Sequence, residues 1–153
     1  MSVYSGVLEA VLGVVSNLAV TASAKVVLRS SPTVKRGNSG DGDTFPLVIV
    51  SPDRHTWEDV GELAFESNTE FKFPVILTAV IDNAFDQTSL FWQLDFREQA
   101  MQALFATTLA GTAVYDCEYD PAPSGVDLSG VAPPLLPSAQ RFTYSVEMLR
   151  GRP

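Results

Sequence analysis

The chain has 153 residues, the length of one ordinary domain whose core is large enough to fold without disulfide or metal cross-links. Its formal net charge of −8 argues against tight nucleic-acid binding, which needs a basic surface to neutralise phosphates. Charged residues make up only 18% and apolar residues 46%. We therefore expect part of the apolar surface to contact other proteins. The single cysteine, Cys117, cannot form an internal disulfide and fits a reducing, intracellular site of synthesis.

Residues 3–20 are predicted to form the first helix. This segment is apolar, but one polar stripe recurs every three or four positions, at Ser2, Ser5, Glu9, Gly13 and Ser16. A bilayer would have to bury Glu9 and Asn17, which is costly, and no basic residue precedes Lys25 as a signal peptide would require. We therefore expect a helix that packs on the protein, with no attachment to a membrane.

Three strands are predicted in the next part of the chain. KVVLRS (25–30) is followed by FPLVIV (45–50), which is apolar on both faces and therefore expected inside a sheet. A short strand is also expected around residues 62–65. FKFPVILTAVID (71–82) alternates with one face fully apolar, and Pro74, which lacks an N–H, predicts an edge or a bulge there.

The second half of the chain predicts one helix and two strands. The helix should begin after an N-cap at Thr88 or Ser89 and stop near Gly111. Helical spacing predicts its inward face as Leu94, Met101, Leu104, Phe105 and Thr108. VYDCEYD (114–120) and FTYSVEML (142–149) complete an α+β domain spanning residues 1–153, a mostly antiparallel β-sheet with two helices packed on one face.

Two long loops separate these elements. Residues 31–44 contain GNSGDGD, a run of turn-forming residues between two strands. Residues 121–141 hold five of the ten prolines, and they also carry apolar side chains that a solvated linker would not need. The residues of the first loop by themselves predict a flexible connection, whereas the apolar side chains of the second predict contact with other groups.

The sequence offers little catalytic chemistry. GNSGDGD lacks the spaced acidic ligands of a calcium loop and the GK[ST] end of a phosphate-binding loop. His55, the only histidine, lies in PDRHTWED, which predicts a surface turn without an orienting partner. We predict no enzymatic activity, no cofactor and no metal, with a hydrolase that uses His55 as one rival. A second rival is a monomeric module that stacks a small ligand on Trp57, Trp92 or Tyr115.

The order of these elements resembles that of the tail terminator (tail-completion) proteins of long-tailed bacteriophages. The resemblance covers most of the chain and runs through KVVLRSSP, the Gly/Asp loop, FPLVIVSP, FKFPVILTAVID, LDFREQAMQALFATTL and FTYSVEMLRG. It implies a hexameric ring that caps the tail tube, stops its polymerisation and docks to the head-side connector. DNA would pass through the centre without being read.

This resemblance implies that both loops, 31–44 and 121–141, are interface arms, and it assigns roles to particular residues. Interface candidates are Lys35, Arg36, Asp41, Asp43, Val126, Leu128, Val131, Leu135, Leu136, Arg150 and Arg152. An acidic strand face could line the lumen and repel DNA, or could simply face solvent; its residues are Asp116, Glu118 and Asp120. The expected location is the tail of the virion, in its neck region, after synthesis in the bacterial cytoplasm. A neck or head-completion protein is the alternative within the same particle.

Overall fold

The structure is a computed structural model that describes residues 2–36, 42–53, 70–83 and 85–147. It contains helices α1 (Val3–Ser16) and α2 (Gln87–Leu104), a short 3₁₀ helix (Ala19–Ser23), and strands β1 (Lys25–Leu28), β2 (Leu47–Pro52), β3 (Glu70–Ile81), β4 (Val114–Asp120) and β5 (Leu136–Glu147). The strand expected around residues 62–65 lies outside the described residues.

The strands form one open five-stranded sheet in the order β1-β2-β3-β5-β4. Only β1 and β2 run parallel, and the other neighbours are antiparallel, which confirms the predicted α+β class. β2 lies inside the sheet, as its apolar residues on both faces predicted. β3 is the central strand, and all 12 of its residues are in register with β5.

Pro74 lies on this central strand where its pairing with β2 ends, so the predicted edge is found on one side of the residue, while its other side stays paired with β5. The carbonyl oxygen of Pro74 accepts a hydrogen bond from the Asp53 N–H at 3.2 Å, on the β2 side of β3. Because the N–H and C=O of one residue point to the same antiparallel neighbour, the proline nitrogen also faces that side. Pairing with β2 has just ended there, at Pro52 opposite Val75. The missing donor therefore costs no hydrogen bond within the ladder.

Both helices pack on the same face of the sheet, as predicted. α1 contributes Val7, Val11 and Val15, one residue per turn, to the core that α2 and the sheet share. α1 ends at Ser16 rather than near residue 20, and the 3₁₀ helix follows it. Trp92 Nε1 donates to the Val20 carbonyl at 2.9 Å, which fixes this short helix to α2. No helix in the described part of the chain is long and apolar enough to cross a bilayer.

The predicted ends and inward face of α2 need correction. Asp86 is the N-cap and accepts from the Thr88 N–H at 3.1 Å, because the helix begins earlier than expected. The buried face consists of Gln93, Phe96, Ala100 and Leu104. Of the predicted inward residues Leu104 is buried, whereas Leu94 and Phe105 are 61% and 50% exposed. Gly111, at φ 79°, lies in the turn before β4 instead of ending the helix.

The opposite face of the sheet has its own apolar cluster. Leu47, Ile49 and Val80 pack there against side chains from the two long loops, namely Val34, Phe45, Val131 and Leu135. The last strand also begins earlier than predicted, at Leu136, so that the second loop spans residues 121–135 rather than 121–141. The loops thus supply the cover that helices supply on the other face.

One buried hydroxyl offers a test of this core. Thr78 in β3 is fully buried, and its hydroxyl finds no hydrogen-bond partner among the described residues. Thr78→Val should therefore raise the free energy of unfolding by about 1 kcal/mol, since an unsatisfied buried polar group is removed with little change of shape. Urea denaturation measures this change.

Thr21→Val is the matched control, because the Thr21 hydroxyl is buried but donates to the Val15 carbonyl at 2.7 Å. This variant should lose about 1 kcal/mol. Equal destabilisation of both variants would contradict the assignment of Thr78 as an unsatisfied group.

Candidate functional site

The base of the first loop is held by a buried carboxylate. The Asp43 side chain is fully buried and accepts from Lys25 Nζ at 2.8 Å and from both terminal nitrogens of Arg29. It also accepts from the Lys35 N–H at 2.7 Å, while the Asp43 N–H donates to the Lys35 carbonyl at 2.8 Å. Asp43 therefore ties β1 to the loop, and its side chain is enclosed within the chain; its role at an interface stays a prediction.

Charge explains why this carboxylate tolerates burial. The hydrogen bonds from Arg29 hold the pKa of Asp43 far below its usual range, against the opposing effect of burial, and Lys25 and the Lys35 N–H act in the same direction as Arg29. A bidentate guanidinium pair of this kind is among the stronger ion pairs in proteins. GNSGDGD thus contains one structural aspartate, Asp43, whereas Asp41 lies outside the described residues.

The second loop lies against the first one. The Val34 N–H donates to the Gly130 carbonyl at 3.2 Å. A Cβ on Gly130 would come within 2.7 Å of Thr33 Cγ2 and 2.9 Å of the Pro32 carbonyl oxygen, so only glycine allows this approach. Val131 is 5% exposed and packs in the chain's own second cluster, while its role at an interface stays a prediction.

The remaining interface candidates divide by exposure. Lys35 and Arg36 are exposed, and Arg36 Nη2 donates to the Ala132 carbonyl at 3.2 Å across the two loops. The half-buried candidates are Val126, Leu128, Leu135 and Leu136, the last of which belongs to β5. Arg150 and Arg152 lie outside the described residues.

Two clefts border these loops. One, of about 480 Å³, is lined by apolar side chains of both loops together with Lys35 and Arg36. The other, of about 360 Å³, lies between Thr33, Asp53, Ile76 and Gly130. An ion pair holds Asp53 in the wall of the second cleft, where Arg141 Nη2 lies 2.6 Å from Asp53 Oδ2. The same nitrogen donates to the Ser124 carbonyl at 3.1 Å.

The acidic strand face is less uniform than predicted. Asp116, Glu118 and Asp120 share one face of β4, as expected. Glu118 lies 3.3 Å from Lys72 Nζ, and Asp120 lies 3.6 Å from Arg141 Nη1, so two of the three charges face a cation. Of these three residues, only Asp116 is exposed and makes no ion pair with another described residue.

Two glutamates on neighbouring strands add negative charge near Asp116, at one end of this face. Glu70 on β3 and Glu147 on β5 are exposed and directly opposite each other, and Asp116 lies opposite Ser145 on the next strand pair. Like charges opposite each other are destabilising, so this end is acidic at some cost to the sheet. Sequence inspection missed Glu70 and Glu147 because their proximity comes from strand register between distant segments.

A second surface was also missed. Seven large apolar side chains are exposed among the described residues, and four of these lie on or beside α2, at Phe85, Phe91, Leu94 and Phe105. Phe91 and Leu94 share one exposed face with Asp95 and Glu98, because these four positions have the spacing i, i+3, i+4 and i+7. The sequence carries this surface as a second apolar stripe, of which Leu94 is among the residues predicted to face the core.

The described residues also bear on the metal, catalytic and ligand-stacking alternatives. Burial raises the pKa of Cys117 to about 11, so its thiol is neutral and a poor nucleophile or metal ligand. Within the described ranges, no group of three or more His, Cys, Asp or Glu side chains could hold a metal ion. Trp92, one of the expected stacking surfaces, packs on Phe96, whereas Tyr115 is 45% exposed. His55 and Trp57 lie outside the described residues.

The Asp43 ion pairs generate a prediction about stability. Asp43→Asn should lower the free energy of unfolding by about 3 kcal/mol at pH 7, because it leaves Lys25 and Arg29 beside an uncharged amide. Asp116→Asn is the matched control, since an exposed carboxylate should change stability by no more than about 0.5 kcal/mol.

The difference between wild type and Asp43→Asn should depend on pH. The pKa of Asp43 is lowered in the folded state, so its stabilisation is complete above the unfolded pKa of about 3.9 and is lost as pH falls below it. Urea denaturation at pH 6 and pH 3 should show the difference shrink by about 1 kcal/mol. An unchanged difference would show that Asp43 does not act through its charge.

Comparison with known proteins does not identify a family for this chain. No protein-family model matches this sequence, and no curated protein matches it either. The resemblance to tail terminators therefore stays an expectation from the order of helices and strands.

Proposed function

We propose that this chain is a structural virion protein, a tail terminator whose copies form a ring that caps the tail tube of a long-tailed phage. The observation that carries the proposal is the exposed apolar surface of α2, where Phe91 and Leu94 are 54% and 61% exposed. Contiguous apolar surface of this kind marks protein–protein contact in a folded chain. The order of helices and strands supports the choice of a tail protein among such assemblies.

The open sheet supports the same proposal. Among the described strands β1 and β4 form the two edges of the sheet, and open edges are sites where neighbouring chains can pair or must be excluded. β4 carries a register shift between Val114 and Asp116, and bulges of this type terminate or redirect pairing. On this proposal β4 faces away from its neighbours and its acidic side is free to line the channel.

The acidic end of the sheet fits a channel for DNA. Glu70, Asp116 and Glu147 concentrate negative charge where it repels phosphates, and a ring would repeat that charge around the lumen. This revises the lumen set, since Glu118 and Asp120 face Lys72 and Arg141. The head-side connector and the tail tube are the proposed partners, and DNA passes without sequence-specific contact. The proposed location is the virion neck, after synthesis in the bacterial cytoplasm.

A tube-growth assay tests the function. Purified chain added to polymerising tail-tube protein of the same particle should halt growth, and negative-stain images should show extra density at one end of short tubes. Heat-unfolded chain at the same concentration is the control. Binding to the head-side connector without any effect on tube growth would instead indicate a neck or head-completion protein. Binding to neither component would contradict both assignments.

A further inference from the structure

The exposed stripe of α2 combines apolar and acidic groups. Phe91 and Leu94 supply the apolar part, and Asp95 and Glu98 follow on the same face, all four being exposed. The buried residues of the helix point the opposite way, toward the sheet, through Phe96 and Ala100. Nothing within the described chain covers these side chains, so a complementary surface would have to combine an apolar cleft with positive charge.

The cleft of about 480 Å³ beside the loops has this combination. Its apolar lining comes from Val34, Phe45, Pro134 and Leu135, and its cations are Lys35 and Arg36, both exposed. Asp43 and Asp82 also line the cleft. The charge of Asp43 is neutralised by Lys25 and Arg29, so the lining charges that remain are those of Asp82, Lys35 and Arg36. Among the described lining residues, the cleft is therefore apolar inside with a net positive rim.

We infer that the α2 stripe of one copy docks into this cleft on a second copy of the same chain. Phe91 and Leu94 would enter between Phe45 and Leu135, while Asp95 and Glu98 would pair with Lys35 and Arg36. Aromatic side chains seated in an apolar pocket and ringed by charged pairs are the usual centre of a stable interface. The inference names the contact that the proposed ring needs, and in that respect it rests on the proposed function.

The positions of the two surfaces determine the symmetry of the contact. α2 covers the sheet face that carries Val48 and Val50, whereas the cleft lies on the face that carries Leu47 and Ile49. Two different patches on opposite faces cannot form a two-fold dimer through each other. They form a head-to-tail contact, which repeats from copy to copy and closes into a ring or extends as a filament.

Charge reversal with rescue tests the contact in the full chain. Sedimentation velocity over a concentration series at low salt should show that the wild type self-associates. Asp95→Lys with Glu98→Lys should weaken association at least about tenfold, as should Lys35→Glu with Arg36→Glu, because each places like charges together. The variant carrying all four substitutions should recover association, since the pairs are restored with reversed sign.

Two controls separate this contact from general effects. Glu9→Lys and Glu98→Lys change the net charge equally; Glu9→Lys, at an exposed position outside the contact, should leave association unchanged, whereas Glu98→Lys should weaken it. Phe91→Ser should abolish association, whereas Val3→Ser, at a side chain that is 41% exposed, should not. Far-UV circular dichroism checks that each variant is folded.

The outcomes distinguish the contact from the function. The inference would be overturned if the wild type stayed monomeric throughout the concentration series, or if the variant with all four substitutions did not recover association. Either result would count even if the chain caps tubes. Recovery of association by the variant with all four substitutions would support the inference. This would hold even if the chain did not halt tube growth, a result that would refute the proposed function.

Discussion

The sheet is apolar on both faces around β2, and this constraint shapes the rest of the molecule. β2 buries Val48 and Val50 on one face and Leu47 and Ile49 on the other. The two helices can cover only one face, and water on the other would forfeit about 25 cal/mol for each square ångström left exposed. The two long loops therefore have to fold over the second face, where a third layer of secondary structure would otherwise lie.

A loop can cover a sheet only if its backbone is held in place, and ion pairs do this at both loops. Arg29 and Lys25 hold Asp43 at the end of the first loop. Arg141 holds the buried Asp53 and donates to the Ser124 carbonyl in the second loop. Each pair joins a strand to a loop, so the charges compensate each other where single buried charges would be costly.

Because the loops serve the chain's own core, the surface available to partners lies elsewhere. The exposed apolar stripe is on α2, and the loops contribute mainly a cleft with the cations Lys35 and Arg36 at its rim. Glu70, Asp116 and Glu147 add an exposed acidic patch, in which Glu70 and Glu147 lie directly opposite each other. Features that cost a subunit stability without serving its fold are often those that serve its assembly.

The sequence by itself determined the α+β class, the interior position of β2 and the placement of both helices on one face, since local periodicity reports burial directly. It misled at α2, where two apolar stripes compete and only the sheet decides that Phe96, not Leu94, faces inward. Strand register brought Glu70 to Glu147, and loop closure buried Asp43 and Val131. These outcomes depend on contacts between distant segments, which no local pattern encodes.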